Sequence, residues 1–185
     1  RNGLGWTREI LQWPEAGEWD WRASVAEIDA DAAFSVFPGV DRSLVLLQGE
    51  GLRLDVEDGL VSTVEPPHGR CDFPGDRAVR AALHAGPVHV FNLMWRRDRI
   101  RAELWRRPLV GSMVLFAAPD EQWLVHVLAG HAAVGDDAGV LRLSAADSAL
   151  IAPCTARRRS MIEGGGDLLL ARMRPAENAE AQASG

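Results

Sequence analysis

The segment SLVLLQGEGLRLDVEDGLVSTVEP, Ser43 to Pro66, constrains the fold more than any other stretch of the chain. Its short apolar runs are cut first by Gly-Glu-Gly and then by Asp-Gly. Such residues supply the positive-φ positions that tight hairpins demand, so the segment reads as strand, turn, strand, turn, strand. A helix over the same span would need an apolar stripe recurring every three or four residues, and the glycines break it. Consecutive hairpins commit the chain to a layered β architecture.

The remaining segments follow the same grammar. WTREILQW and WDWRASVAEID are dense in the aromatic and branched residues that favour strands. In the second, Trp21, Ala23 and Val25 fall on one face, and Arg22, Ser24 and Ala26 on the other. AVRAALHAGPVHVFNLMW supplies two more strands around Gly86-Pro87, and helices are expected to be few and short. The second half echoes the first. LVLLQGEG has a counterpart in LVHVLAGHA, with Gly49 matching Gly130, while Asp58-Gly59 matches Ala138-Gly139 and Phe73-Pro74 matches Ala152-Pro153. The offset is about 80 residues throughout. A duplicated β unit predicts two small β-barrels or jelly rolls, over 1–108 and 109–175, followed by a frayed polar tail over 176–185. Gly164-Gly165-Gly166 reads as a turn between strands, too bare to be a phosphate loop.

Composition removes several function classes. Of the 185 residues, 20 are basic, and all of these are arginine. The net charge of −6 argues against a general nucleic-acid binder. WRRDRIRAELWRR, Trp95 to Arg107, concentrates arginines that could form a local anion patch, although its alternation reads better as a strand with one wet face. Cys71 and Cys154 lie far apart, so neither a disulfide framework nor a zinc site is expected. No stretch reads as a secretory leader or a membrane span, and the expectation is a cytoplasmic protein.

One residue asks for an explanation. In FSVFPGVDRSLVLL a Pro-Gly turn delivers Asp41-Arg42 onto the start of an apolar strand. Neighbours on a strand point to opposite faces, so one of the two should face the barrel interior. A buried guanidinium needs an anion, and its planar fork matches a carboxylate in two parallel hydrogen bonds. Two partners remain open: a carboxylate ligand, or an internal carboxylate such as Glu27 or Glu9.

The segments RNGLGWTREI, WDWRASVAEIDADAAFSVFPGVDRSLVLLQGEGLRL, FPGD and GPVHVFNLMWRR together resemble the HutD/Ves family of bacterial bicupins. Two departures stand out: Asn2-Gly3-Leu4-Gly5 where the family usually reads Asn-Gly-Gly-Gly, and His89 where it usually carries Asp. The resemblance implies an all-β bicupin, commonly a homodimer, that modulates histidine utilisation by sensing a small carboxylate such as formylglutamate or urocanate. It makes Arg42 the ligand-holding arginine. Arg22 and Ser24, on a strand face that the family motif also marks, rank next. Thr7 and Asn92 are expected to offer neutral hydrogen bonds to the ligand's far end, and Asn2 ranks last.

No metal and no cofactor are expected. The rival reading is a cupin-class enzyme acting on a small acid or sugar. Metal-dependent cupins usually carry a His-x-His pair, and none of His68, His84, His89, His126 and His131 forms one. Neither a nucleophile elbow nor a cysteine in a Gly-rich loop is present, so no catalytic residue is assigned. An interaction module using the seven tryptophans is a third class, although two small cores would also consume them.

Overall fold

The computed structural model describes residues 6–57, 59–136 and 139–176, which leaves Asn2, Asp58, Ala138 and the tail from 177 outside the description. The described residues form strands and turns with no helix, in two compact units, 1–99 and 100–185. The sequence reading put the junction after Pro108. That proline instead lies inside an unbroken strand.

The first unit contains β1 (Thr7–Trp13), β2 (Trp21–Ile28), β3 (Ala32–Ala33), β4 (Val40–Gln48), β5 (Leu52–Val56), β6 (Val61–Val64), β7 (Arg70–Pro74), β8 (Val79–Leu83) and β9 (Val88–Arg96). They make a five-stranded sheet, β1-β2-β9-β4-β7, and a four-stranded one, β3-β8-β5-β6. Every pairing is antiparallel. Leu44, Leu46 and Val90 of the first sheet meet Leu52, Leu54 and Val79 of the second in a shared core. Burial of each such side chain contributes about 1.5–3 kcal/mol.

The second unit contains β10 (Ile100–Ala117), β11 (Gln122–Asp136), β12 (Gly139–Ser144), β13 (Ser148–Ile151) and β14 (Arg158–Pro175), in the order β10-β14-β11-β12 with β13 beside β11. Its pairings repeat those of the first unit. The first half of β10 pairs with the second half of β14 as β2 does with β9, and its second half pairs with the start of β14 as β3 does with β8. β11 pairs with β13 and then with β12, as β4 pairs with β7 and β5 with β6. What the first unit splits into separate strands, the second runs continuously.

That continuity needs glycine. Gly111 lies opposite Gly164, and Gly130 opposite Gly166, so the triple glycine read as a turn sits in the middle of β14. A Cβ on Gly166 would lie 1.9 Å from the Ala129 carbonyl oxygen, and one on Gly130 2.0 Å from that of Gly165. Gly49 falls at the same point of the pairing order, but in the turn between β4 and β5. Pro108 is tolerated because β10 ends the sheet order, where a missing N–H need not break a ladder.

Candidate functional site

Two Phe-Pro-Gly turns build the site. Phe37-Pro38-Gly39 precedes β4, and Phe73-Pro74-Gly75 closes β7. The turns lock together: the Phe37 N–H donates to the Gly75 carbonyl at 2.6 Å, and the Gly75 N–H donates to Val40 at 2.6 Å. Gly75 has to be glycine here, since a Cβ would stand 2.9 Å from the Val40 carbonyl oxygen. From outside, Arg97 holds Asp41 at 2.8 Å and Asp76 at 2.8 Å, and it also donates to the Val40 carbonyl. This hydrogen bonding keeps the Asp76 carboxyl below its usual range.

Asp41 therefore faces the outer clamp, and Arg42, one residue on, faces the core. Arg42 is only 7% exposed. Met94 pairs laterally with both Arg22 and Arg42, so the two cations flank it in one row across β2, β9 and β4. Ser24 and Asn92 form the next row on the same face, and both are buried. Arg42 donates to Asn92 Oδ1 at 3.4 Å and to the Ser35 carbonyl at 3.5 Å. Aromatic rings supply the remaining surroundings. The Arg42 guanidinium lies 5.0 Å from Phe34, 5.0 Å from Phe73 and 5.9 Å from Phe37, and Arg22 lies 5.2 Å from Trp19 and 5.4 Å from Phe37.

No carboxylate among the described residues pairs with either cation. The Nε groups of Arg22 and Arg42 are both buried without an acceptor. Burial, and secondarily the nearby Arg22 charge, push the Arg42 pKa down to about 10. Glu27, one internal partner considered above, lies on the opposite face and pairs with His89 at 2.8 Å. His89 also meets Gln48, so that departure from the family pattern does not touch the Arg42 face. Glu9 sits exposed on the edge strand in the Ser24 row.

Arg42, Arg22, Asn92 and Ser24 thus come together. Thr7 does not: it is exposed and pairs with Ala26, a further row away. Phe34, Phe37, Phe73, Trp19 and Met94 were missed, although the repeated Phe-Pro-Gly tripeptide was a visible signal. The arginine-rich run is largely committed to ion pairs: Arg96 holds Glu18, Arg99 holds Glu18 and Asp20, and Arg106 holds Asp167.

A cleft of about 760 Å³ lies in the second unit and contains Arg157, Arg158, Met161 and Glu163. There Arg157 stacks on Phe116 and Arg158 approaches Asp136. Among the described residues it holds no buried, unsatisfied guanidinium of the Arg42 kind, and the chemistry favours the first unit. Among the described residues, no three His, Cys, Asp or Glu side chains converge to hold a metal ion, and no helix is long and apolar enough to cross a membrane.

This architecture defines an all-β protein of cupin-like fold. It resembles the cupin 2 conserved barrel domain protein from Leptotrichia buccalis at a TM-score of 0.60, covering 95% of this chain and 90% of that one; at 11% identity the likeness concerns the fold alone. The particular relatives are closer. HutD from Pseudomonas fluorescens matches at a TM-score of 0.81 and 26% identity, covering 95% of this chain and 91% of that one. Protein Ves of Citrobacter koseri is 41% identical over 106 residues, 56% of this chain and 55% of that protein. The chain thus spans about half the length of the curated relatives it matches. The HutD family profile matches residues 1–170, and the chain belongs to that family.

Proposed function

We propose that this protein is a HutD-like, non-catalytic binder of a small carboxylate metabolite, formylglutamate- or urocanate-like, that modulates histidine utilisation. In this reading it is a cytoplasmic bicupin assembled as a homodimer, and it works without a metal. The repeated pairing order of the two units supports the bicupin description. Family membership supports the link to histidine utilisation.

One observation carries the ligand class: Arg42 is a buried cation with no carboxylate partner among the described residues. A carboxylate ligand would meet the guanidinium at its edge, where its N–H groups point. Arg22 adds a second positive charge, and Asn92 and Ser24 add neutral groups one row deeper.

A thermal-shift panel of formylglutamate, urocanate and formate, with the amide of each acid as control, tests the proposal. An acid at one hundred times its dissociation constant should add about 2.7 kcal/mol of stability, and its amide none. Equal effects of acid and amide, or no effect of any acid, would refute the reading. Gel filtration over a range of concentrations reports on the dimer.

A further inference from the structure

We propose that the Phe37 side chain is the gate of the Arg42 pocket, a ring that covers the guanidinium and swings aside to admit a carboxylate. The inference rests on the carboxylate reading above, but its first test needs no ligand.

Four rings surround the two cations, and they are not equivalent. Phe34 and Phe73 stack on each other and pack in the core, with Phe73 only 4% exposed. Moving either would open the core. Trp19 lies against Arg22 and Arg96 rather than Arg42. Phe37 alone among these rings reaches both Arg22 and Arg42. It also lies outside the core cluster, half-buried itself, above a cation that is almost wholly buried.

Its backbone and side chain have opposite freedoms. The Phe37 N–H is tied to Gly75, and its carbonyl accepts from Val40 at 3.3 Å. The turn is thus fixed, and neighbouring Val36 already points to solvent at 49% exposure. The ring can change rotamer without breaking a backbone hydrogen bond. Such flips are fast, on the order of nanoseconds for exposed side chains. A carboxylate reaching Arg42 would displace the ring from the guanidinium and exchange an aromatic contact for a charge-assisted one. Phe37 therefore sets how readily ligands are admitted, while Arg42 sets what is held.

The test is arginine modification by phenylglyoxal, mapped by mass spectrometry, in the parent, Phe37→Ala, Phe37→Leu and Val36→Ala. Exposed Arg107 serves as internal standard, and reaction of the buried Cys71 thiol reports loosening of the core. A gate closed most of the time leaves an open fraction of a tenth or less, so Phe37→Ala should speed Arg42 modification roughly tenfold or more. Phe37→Leu should restore slow reaction in part, and Val36→Ala should match the parent. Unchanged Arg42 reactivity in Phe37→Ala overturns the gate, as does a parallel rise at Cys71. Added formate should slow Arg42 modification in both the parent and Phe37→Ala. Loss of that protection in both would instead sink the carboxylate reading, whatever the gate does.

Discussion

Replacing Arg42 by methionine separates a ligand anchor from a structural ion pair. Burial lowers the Arg42 pKa to about 10, which means that holding the charge in place costs the folded state about 3 kcal/mol, at 1.36 kcal/mol per unit. Methionine removes that cost and keeps most of the stem. Against it stand three lost cation–π contacts, to Phe34, Phe73 and, at longer range, Phe37, each worth about 0.5–2 kcal/mol, with thioether–ring contact recovering part. The hydrogen bonds to Asn92 and Ser35, at 3.4 and 3.5 Å, are long and contribute little. The terms nearly cancel, so ligand-free Arg42→Met should unfold within about 1 kcal/mol of the parent. Urea titration followed by tryptophan fluorescence measures this, provided the slope of the transition is unchanged. Carboxylates should stabilise the parent and leave the variant untouched. Arg42→Lys should not restore affinity, because an ammonium cannot reproduce the planar fork. A stability loss of roughly 3–5 kcal/mol in ligand-free Arg42→Met would mean that a buried carboxylate had been stranded, refuting the reasoning.

Two further outcomes follow. Carboxylate affinity should be flat from pH 7 to 9 and fall above about pH 10, as Arg42 loses its proton. The folded pKa lies below the unfolded one, so the unfolded chain holds the proton more tightly, and this residue's contribution to stability rises through the same window. Calorimetric titration with formate from pH 7 to 11 checks the first point, and a steady decline from pH 7 would point to another group. Gly166→Ala should lower stability by about 3 kcal/mol or prevent folding, because its Cβ would lie 1.9 Å from the Ala129 carbonyl oxygen. A urea midpoint equal to the parent's would show that the strands are not creased there.

Local chemistry made much of this fold legible. The alternation in WDWRASVAEID places Arg22 and Ser24 on one face, and β2 carries them there. The hairpin grammar of Ser43–Pro66 becomes β4, β5 and β6. Failures occurred where the deciding fact is long-range. Three glycines in a row carry the local signature of a turn, yet their need for glycine comes from the approach of β11, which no local pattern encodes. The boundary expected after Pro108 falls inside β10, where the proline is accommodated because β10 lies at the end of its sheet order. Thr7 shares the Arg22 and Ser24 face but lies a row beyond Ser24, a distance that only the pairing of β1 with β2 fixes. The aromatic walls of the site come from segments far apart in sequence, brought together by the β4–β7 ladder that sets Phe73 opposite Arg42 and by the interlocked Phe-Pro-Gly turns that hold Phe37.

The same interlocking explains how a strand can carry adjacent Asp and Arg without the two neutralising each other. One step along β4 turns the side chain through the sheet, so Asp41 leaves on the outer face and Arg42 enters on the inner one. Arg97 then commits Asp41, together with Asp76, to the outer clamp. Exposed ion pairs of this kind contribute little to stability. Their larger effect is geometric, because they occupy the nearest carboxylate and pin the turn that carries Phe37. The burial of Arg42 without an anion among the described residues is therefore a product of the local sequence Phe-Pro-Gly-Val-Asp-Arg, and removing Arg97 should disturb ligand affinity before it disturbs the fold.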